Sequence, residues 1–294
     1  MAEPRLEMVH VNGVELAYFE RGERQADKPT LLFVHCTGYH GRIWDRIIES
    51  FPDYHTIALE QRGHGRSENI PIGHWRVMGE DMAAFLKALG LQRIIGTGHS
   101  MGGHAMVEAA AKSGAFERLV LIDPTIAAPE SYAEAPPMVF EDGVHPAAKR
   151  KNDFTSPREM AERLLQRGVY HLFERRMLDD YCEHGLVQQD SGEYRLACPP
   201  EIEASVYMAA RSNGEIYDSV HALDIPVLIL RAQLPPVERM AMDFASSPTW
   251  PGLVDEFRNG REIHFADCTH FIPMQIPDEV VRVLREEIAA WDPR

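Results

Sequence analysis

Gly98-His99-Ser100-Met101-Gly102 is the stretch of this sequence with the most definite chemistry. Glycines two residues either side of a serine fit a sharp strand-to-helix turn, where small flanking residues let the two elements approach and leave the hydroxyl exposed. The flanks agree. Residues 93–97, Arg-Ile-Ile-Gly-Thr, read as a buried strand, and 103–111 read as a helix that begins with a further glycine. A serine so placed stands at a helix N-terminus, whose unpaired N–H groups and dipole favour the negative oxygen of an acyl-transfer intermediate. Ser100 is therefore the candidate nucleophile.

An oxyanion needs two donors. The amide of Met101, next after the nucleophile, supplies one, and the loop Cys36-Thr37-Gly38-Tyr39-His40-Gly41 is the candidate for the other, with Thr37 as the donor.

The elements that must hold these residues follow in chain order. Residues 6–20 alternate about the turn dipeptide Asn12-Gly13 and predict an opening hairpin. Residues 31–35 and 55–59 are short apolar runs of the kind buried on both faces of a parallel sheet. Between them, 42–51 reads as a helix; after them, 75–89 carries Met78, Met82, Phe85, Leu86 and Leu89 at helical spacing and is closed by Gly90. The loop 60–67 is tight, and its Glu60 and Arg62 are expected to pair with each other or to cap neighbouring elements. Residues 119–122 form a further strand, ending at Asp123-Pro124. Strand and helix thus alternate, which specifies an α/β fold with a mostly parallel central sheet flanked by helices. Ser100, Thr37 and Asp123 all fall at the carboxyl ends of strands, where such sheets bind ligands.

The alternation stops between about residues 126 and 222. Prolines 129, 136, 137 and 146 cluster there, no strand-like run stands out, and helical patterns occupy 158–173 and 175–182. A connection this long is not a plain loop, so it reads as a helical cap folded over the strand ends. Domain organisation is accordingly core at 1–127, cap at 128–221 and core again at 222–294. Met160, Leu164, Leu165, Tyr170, Phe173, Tyr207 and Met208 divide between packing the cap and facing a substrate cavity, most of them packing. Strands return at 225–230 and 262–265, the latter running into Ala266-Asp267-Cys268-Thr269-His270, and 278–291 is an amphipathic final helix.

The 294 residues, 45% hydrophobic, suffice for a sizeable core. A formal net charge of −15 with no basic cluster excludes nucleic acid and anionic membrane surfaces as expected partners. With no run of about eighteen apolar residues and no apolar segment behind a basic start, the expectation is a cytoplasmic protein. Cys36, Cys182, Cys198 and Cys268 lie far apart and read as reduced thiols, and the 14 histidines show no metal-ligand spacing, so no metal and no cofactor are expected.

Assembled, the chain resembles the α/β-hydrolase superfamily over nearly its whole length. The likeness rests on His35-Cys36-Thr37-Gly38, on Gln61-Arg62-Gly63-His64-Gly65-Arg66-Ser67, on the serine pentapeptide, and on Thr269-His270-Phe271-Ile272-Pro273 before the last helix. The resemblance implies a serine nucleophile, an acid, and a late histidine base in that order. His270, in the loop after the last strand, takes the base's place, and His35, His99 and His104 are expected to be structural. Two departures stand out. Cys36 follows His35 where members usually have glycine, and the commonest acid position, after the strand at 225–230, reads Ala232-Gln233-Leu234-Pro235 without a carboxylate. Part of the superfamily carries its acid one strand earlier, where Asp123 stands; Glu238 and Asp243 are the alternatives. The resemblance thus points to Ser100, Asp123 and His270 as a catalytic triad hydrolysing an ester or lactone of small to medium, largely apolar character. Carbon–carbon bond hydrolysis by the same triad, ligand sensing without turnover, and a catalytically dead relative are the other readings.

Overall fold

The computed structural model describes residues 3–133, 140, 143–235 and 243–291. The opening hairpin forms as the turn dipeptide requires: Asn12 and Gly13 both adopt positive φ, 49° and 73°, the geometry that matches strand twist in a two-residue turn. It joins β1 (Arg5–Val11) to β2 (Val14–Arg21). β3 (Thr30–Val34), β4 (Thr56–Leu59), β5 (Ile94–His99), β6 (Phe116–Ile122), then β10 (Val227–Arg231) and β11 (Gly260–His264) complete an eight-stranded sheet ordered β1-β2-β4-β3-β5-β6-β10-β11. β1, β2 and β4 pair antiparallel in turn, and every pairing from β4 to β11 is parallel.

β3, β4 and the end of β6 are buried on both faces, which is why they read as unbroken apolar runs rather than alternating ones. The short helix α1 (Asp45–Ile48) follows a 3₁₀ turn at Gly41–Trp44, where one longer helix was expected. α2 (Arg76–Ala88) and α3 (Met101–Ser113) pack together on one side of the sheet. Met78, Met82, Phe85 and Leu86 of α2 are fully buried, each contributing about 1.5–3 kcal/mol over an exposed position. α11 (Pro277–Ala289) and α1 pack on the other side, against a second core that includes Phe33, Val120 and Leu228.

Between β6 and β10 lie α4 (Pro129–Ala133), α5 (Pro157–Leu164), α6 (Arg175–His184), α7 (Pro200–Met208) and α8 (Ile216–Ala222). This insertion also contains strands: β7 (Asp153–Phe154), β8 (Leu186–Gln188) and β9 (Tyr194–Leu196) form a small antiparallel sheet ordered β7-β9-β8. The expectation that this region lacks strands is thereby corrected. Two- and three-residue strands on a half-exposed sheet leave no apolar run for a sequence to display. The helix expected at 158–173 is also shorter, because after Leu164 the chain turns through Gly168, at φ 49°, into a 3₁₀ turn at Tyr170–Leu172. α9 (Leu253–Glu256) and α10 (Ile272–Gln275) are single turns beside β11 and α11. Among the described residues no helix is long and apolar enough to cross a membrane.

Candidate active site

Ser100 sits between β5 and α3 with φ 57° and ψ −118°, a conformation an L-residue holds only when its surroundings fix it. The surroundings do so through close backbone contacts. A Cβ on Gly98 would stand 2.7 Å from the Gly102 carbonyl oxygen, and one on Gly102 would stand 2.6 Å from the carbonyl oxygens of Val34 and His35. The two flanking glycines are thus what lets strand and helix meet at the end of β3.

Three side chains converge there. Ser100 Oγ lies 2.9 Å from His270 Nε2, and His270 Nδ1 lies 2.7 Å from Asp123 Oδ2. Asp123 is fully buried at the end of β6, with φ 44°. Its other oxygen, Oδ1, accepts from the Ala232 amide (3.0 Å), the Ser247 hydroxyl (2.5 Å) and the Thr249 hydroxyl (3.3 Å). The connection after β10 thus supplies donors, at Ala232, Ser247 and Thr249, to the carboxylate that stands one strand earlier. Asp243 accepts from the Ala245 amide at 2.9 Å and lines the same cavity as Ser100, whereas the carboxylate on His270 Nδ1 is that of Asp123. Glu238 lies outside the described residues.

Two expected donor residues adjoin each other: the Thr37 hydroxyl is 3.5 Å from Met101 Sδ, so the loop after β3 and the first turn of α3 are in contact. His35, His99 and His104, the histidines expected to be structural, are held in hydrogen bonds. His99 Nε2 reaches the His270 carbonyl at 2.9 Å and so braces the histidine loop from β5. His35 Nδ1 donates to the Cys36 carbonyl (2.8 Å) while its Nε2 accepts from the Gln61 amide (3.1 Å). Burial keeps all three of His35, His99 and His104 neutral: His35 is pushed down to about 3 and His104 to about 4, and His99 is also well below the ordinary histidine range. The Cys36 thiol is pushed up by burial, so it is inert as a nucleophile. Glu60 and Arg62 do not pair with each other. Arg62 binds Asp81 on α2 and so ties its loop to that helix, and Glu60, next after β4, accepts from the amides of Gly41 and Arg66 and ties their loops to the strand end.

Sequence reasoning missed three residues here. Thr125, two beyond Asp123, places its hydroxyl 3.0 Å from Ser100 Oγ, and its carbonyl is held by His104 Nδ1 at 3.1 Å. Arg150 and Glu203, both from the insertion, form an ion pair on the cavity wall. No motif marks any of them, since each is a common residue whose partners lie 25 to 53 positions away. The cavity is about 370 Å³, with Trp75, Tyr170, Phe244 and Phe271 as aromatic lining. Of the seven insertion residues considered for it, Tyr170 and Tyr207 line it. Met160 and Phe173 are packed in the core, and Leu165 and Met208 are exposed.

A family model described as the alpha/beta hydrolase family matches residues 31–283. The chain belongs to the alpha/beta hydrolase family. Among curated alpha/beta hydrolase relatives, Lipase LipV of Mycobacterium tuberculosis is 27% identical over 262 residues, 88% of this chain and 92% of the lipase. 3-Oxoadipate enol-lactonase 2 of Acinetobacter baylyi is 38% identical over 82 residues, 27% of this chain and 30% of that enzyme. Of solved alpha/beta hydrolase structures, that of E-2-(acetamidomethylene)succinate hydrolase superposes with a TM-score of 0.72 at 19% identity, covering 96% of this chain and 98% of that one, a likeness of fold.

Proposed function

We propose that this alpha/beta hydrolase cleaves a carboxylic ester or lactone of small to medium size through a serine acyl-enzyme, with Ser100, His270 and Asp123 as the catalytic triad. The observation that carries the reading is the unbroken hydrogen-bonded line from Ser100 Oγ through His270 to Asp123 Oδ2, whose serine end opens on the cavity. With Nδ1–H donating to Asp123, His270 Nε2 is left as the acceptor of the serine proton.

In this mechanism Ser100 Oγ attacks the carbonyl carbon as its proton passes to Nε2. The Thr37 and Met101 amides receive the oxyanion, and the imidazolium returns the proton to the leaving alcohol oxygen. A water then gives its proton to Nε2 and its oxygen to the acyl carbon, and Ser100 recovers its proton as the acid departs. Residues 128–221 act as the cap that encloses the substrate, between core segments 1–127 and 222–294, and the aromatic lining suits an apolar substrate body. The substrate is a small molecule, with no nucleic acid, membrane, metal or cofactor required. A cytoplasmic setting suits the four unpaired, buried cysteines. A lipase and an enol-lactonase among the relatives carry names that agree with ester or lactone cleavage.

Turnover of a panel of nitrophenyl esters and simple lactones tests the reading. Wild type is expected to hydrolyse members of the panel, and Ser100→Ala to lose at least about a thousandfold in kcat. Equal turnover by the two proteins would overturn it.

A further inference from the structure

The cavity wall beyond the nucleophile is built around a charge pair that the mechanism above does not use. Arg150 follows the 3₁₀ turn Pro146–Lys149, and Glu203 lies on α7; their side chains meet through Arg150 Nη1 and Glu203 Oε2. Arg150 Nη2 also donates to the Tyr181 hydroxyl at 3.1 Å. A buried ion pair is a poor device for stability, because desolvation cancels most of its attraction and an apolar pair of similar volume does as well. Its place on the cavity wall calls for another explanation.

The two charges are unequally exposed. The Glu203 side chain is 3% exposed, whereas Arg150 retains 23% and lines the cavity. A guanidinium carries five N–H donors, and contacts to Glu203 and Tyr181 leave some of them for the cavity. Nη1 and Nη2 each spend one N–H on these partners and keep a second, and the side chain that carries them lines the cavity. The pair also abuts the loop expected to hold the oxyanion: a Cβ at Gly38 would lie 2.9 Å from Glu203 Oε1 and 3.3 Å from Arg150 Nη1. Gly38, at φ 79°, therefore makes room for the pair directly beside Thr37.

We propose that Arg150, fixed by Glu203 and Tyr181, is a substrate subsite that donates hydrogen bonds to a neutral oxygen acceptor, a ketone or amide oxygen, on the part of the ester near its scissile carbonyl. Glu203 already compensates the guanidinium, so a substrate carboxylate would bring a second negative charge against it, while a neutral carbonyl oxygen accepts without that cost. The inference rests on Ser100 acting as the esterase nucleophile. It narrows the substrate class to esters or lactones with an oxo or amido group in a largely apolar frame.

Matched nitrophenyl esters test it: 4-oxopentanoate against 4-methylpentanoate, 5-oxohexanoate against 5-methylhexanoate, and the hemisuccinate, each corrected for spontaneous hydrolysis. In wild type at least one oxo ester should exceed its methyl counterpart about tenfold in kcat/KM, chiefly through KM, with the hemisuccinate below both. The oxo-to-methyl ratio should fall to about one in Arg150→Met/Glu203→Leu, and fall in Arg150→Lys, which keeps a charge but loses the fork. Should the double variant fail to fold, the wild-type and lysine ratios decide alone. Equal rates for oxo and methyl esters, a ratio unmoved by the variants, or a preferred hemisuccinate would each overturn the subsite while leaving the esterase intact. Wild type that hydrolyses none of these esters and takes no covalent serine label would instead overturn the esterase reading itself.

Discussion

Ser100 Oγ has two hydrogen-bond partners, His270 Nε2 at 2.9 Å and the Thr125 hydroxyl at 3.0 Å. Its single proton goes to the histidine, so Thr125 donates, and that bond strengthens as negative charge grows on Oγ during attack and again as Oγ leaves in deacylation. Thr125→Val is isosteric and leaves the backbone contacts to Ser100 and His104 in place; it should slow both kcat and covalent labelling of Ser100 by about tenfold, with Thr125→Ser near wild type. Equal rates in the valine variant, read by stopped-flow labelling, would deny the hydroxyl a part. Asp123→Asn should cost about 10³–10⁴ in kcat by losing control of the histidine tautomer. Three further donors on Oδ1 hold the site, so its circular dichroism should remain native. Near-normal turnover in that variant would move the acid role to Asp243 or Glu238.

At the scale of elements, the turn that carries the nucleophile was legible because its requirements are local. Gly98 and Gly102 are dictated by backbone approach, and a Cβ on Gly98 would also meet Gly103 Cα at 2.8 Å. Gly98→Ala should therefore cost about 1–3 kcal/mol and several degrees of Tm, with turnover falling further than stability because Ser100 moves with the turn. A melting curve and activity indistinguishable from wild type would contradict this. The parallel strands were legible for a similar reason, since burial on both faces writes continuous apolar runs. What was not legible is the detail inside the insertion. Its strands are two or three residues long, and the Arg150–Glu203 pair, like the link from Thr125 to Ser100, is made by chain segments whose meeting no local spacing encodes. The Glu60 and Arg62 partners escaped for the same reason, because the choice among nearby charges is made by packing.

Over the whole molecule, burial has set many titratable groups against the proton. Eight histidines, at 35, 40, 55, 64, 99, 104, 145 and 184, are shifted below the ordinary range, with desolvation as the leading cause; His64, His104 and His184 fall to about 4. Below pH 6.5 the unfolded chain protonates these groups and the folded one does not, so stability is lost as pH falls toward 4, by about 1.4 kcal/mol per pH unit for each proton of difference. Among the described residues, the buried Glu60, Glu108 and Glu203 and the half-buried Asp180 are raised, Asp180 to about 6, and work in the opposite direction over part of that window. The histidines outnumber them, so Tm should fall between pH 7 and pH 5. Thermal melts across that range check it, and a Tm that holds or rises on acidification would show that the buried carboxyls dominate.

Catalysis at this site requires Ser100 to be a nucleophile activated by its neighbours, and intact mass after incubation with a fluorophosphonate tests that most directly. Wild type should gain the mass of one phosphonyl group, Ser100→Ala none, and His270→Ala should label far more slowly. An unlabelled wild type, or an adduct that persists in Ser100→Ala, would contradict the account.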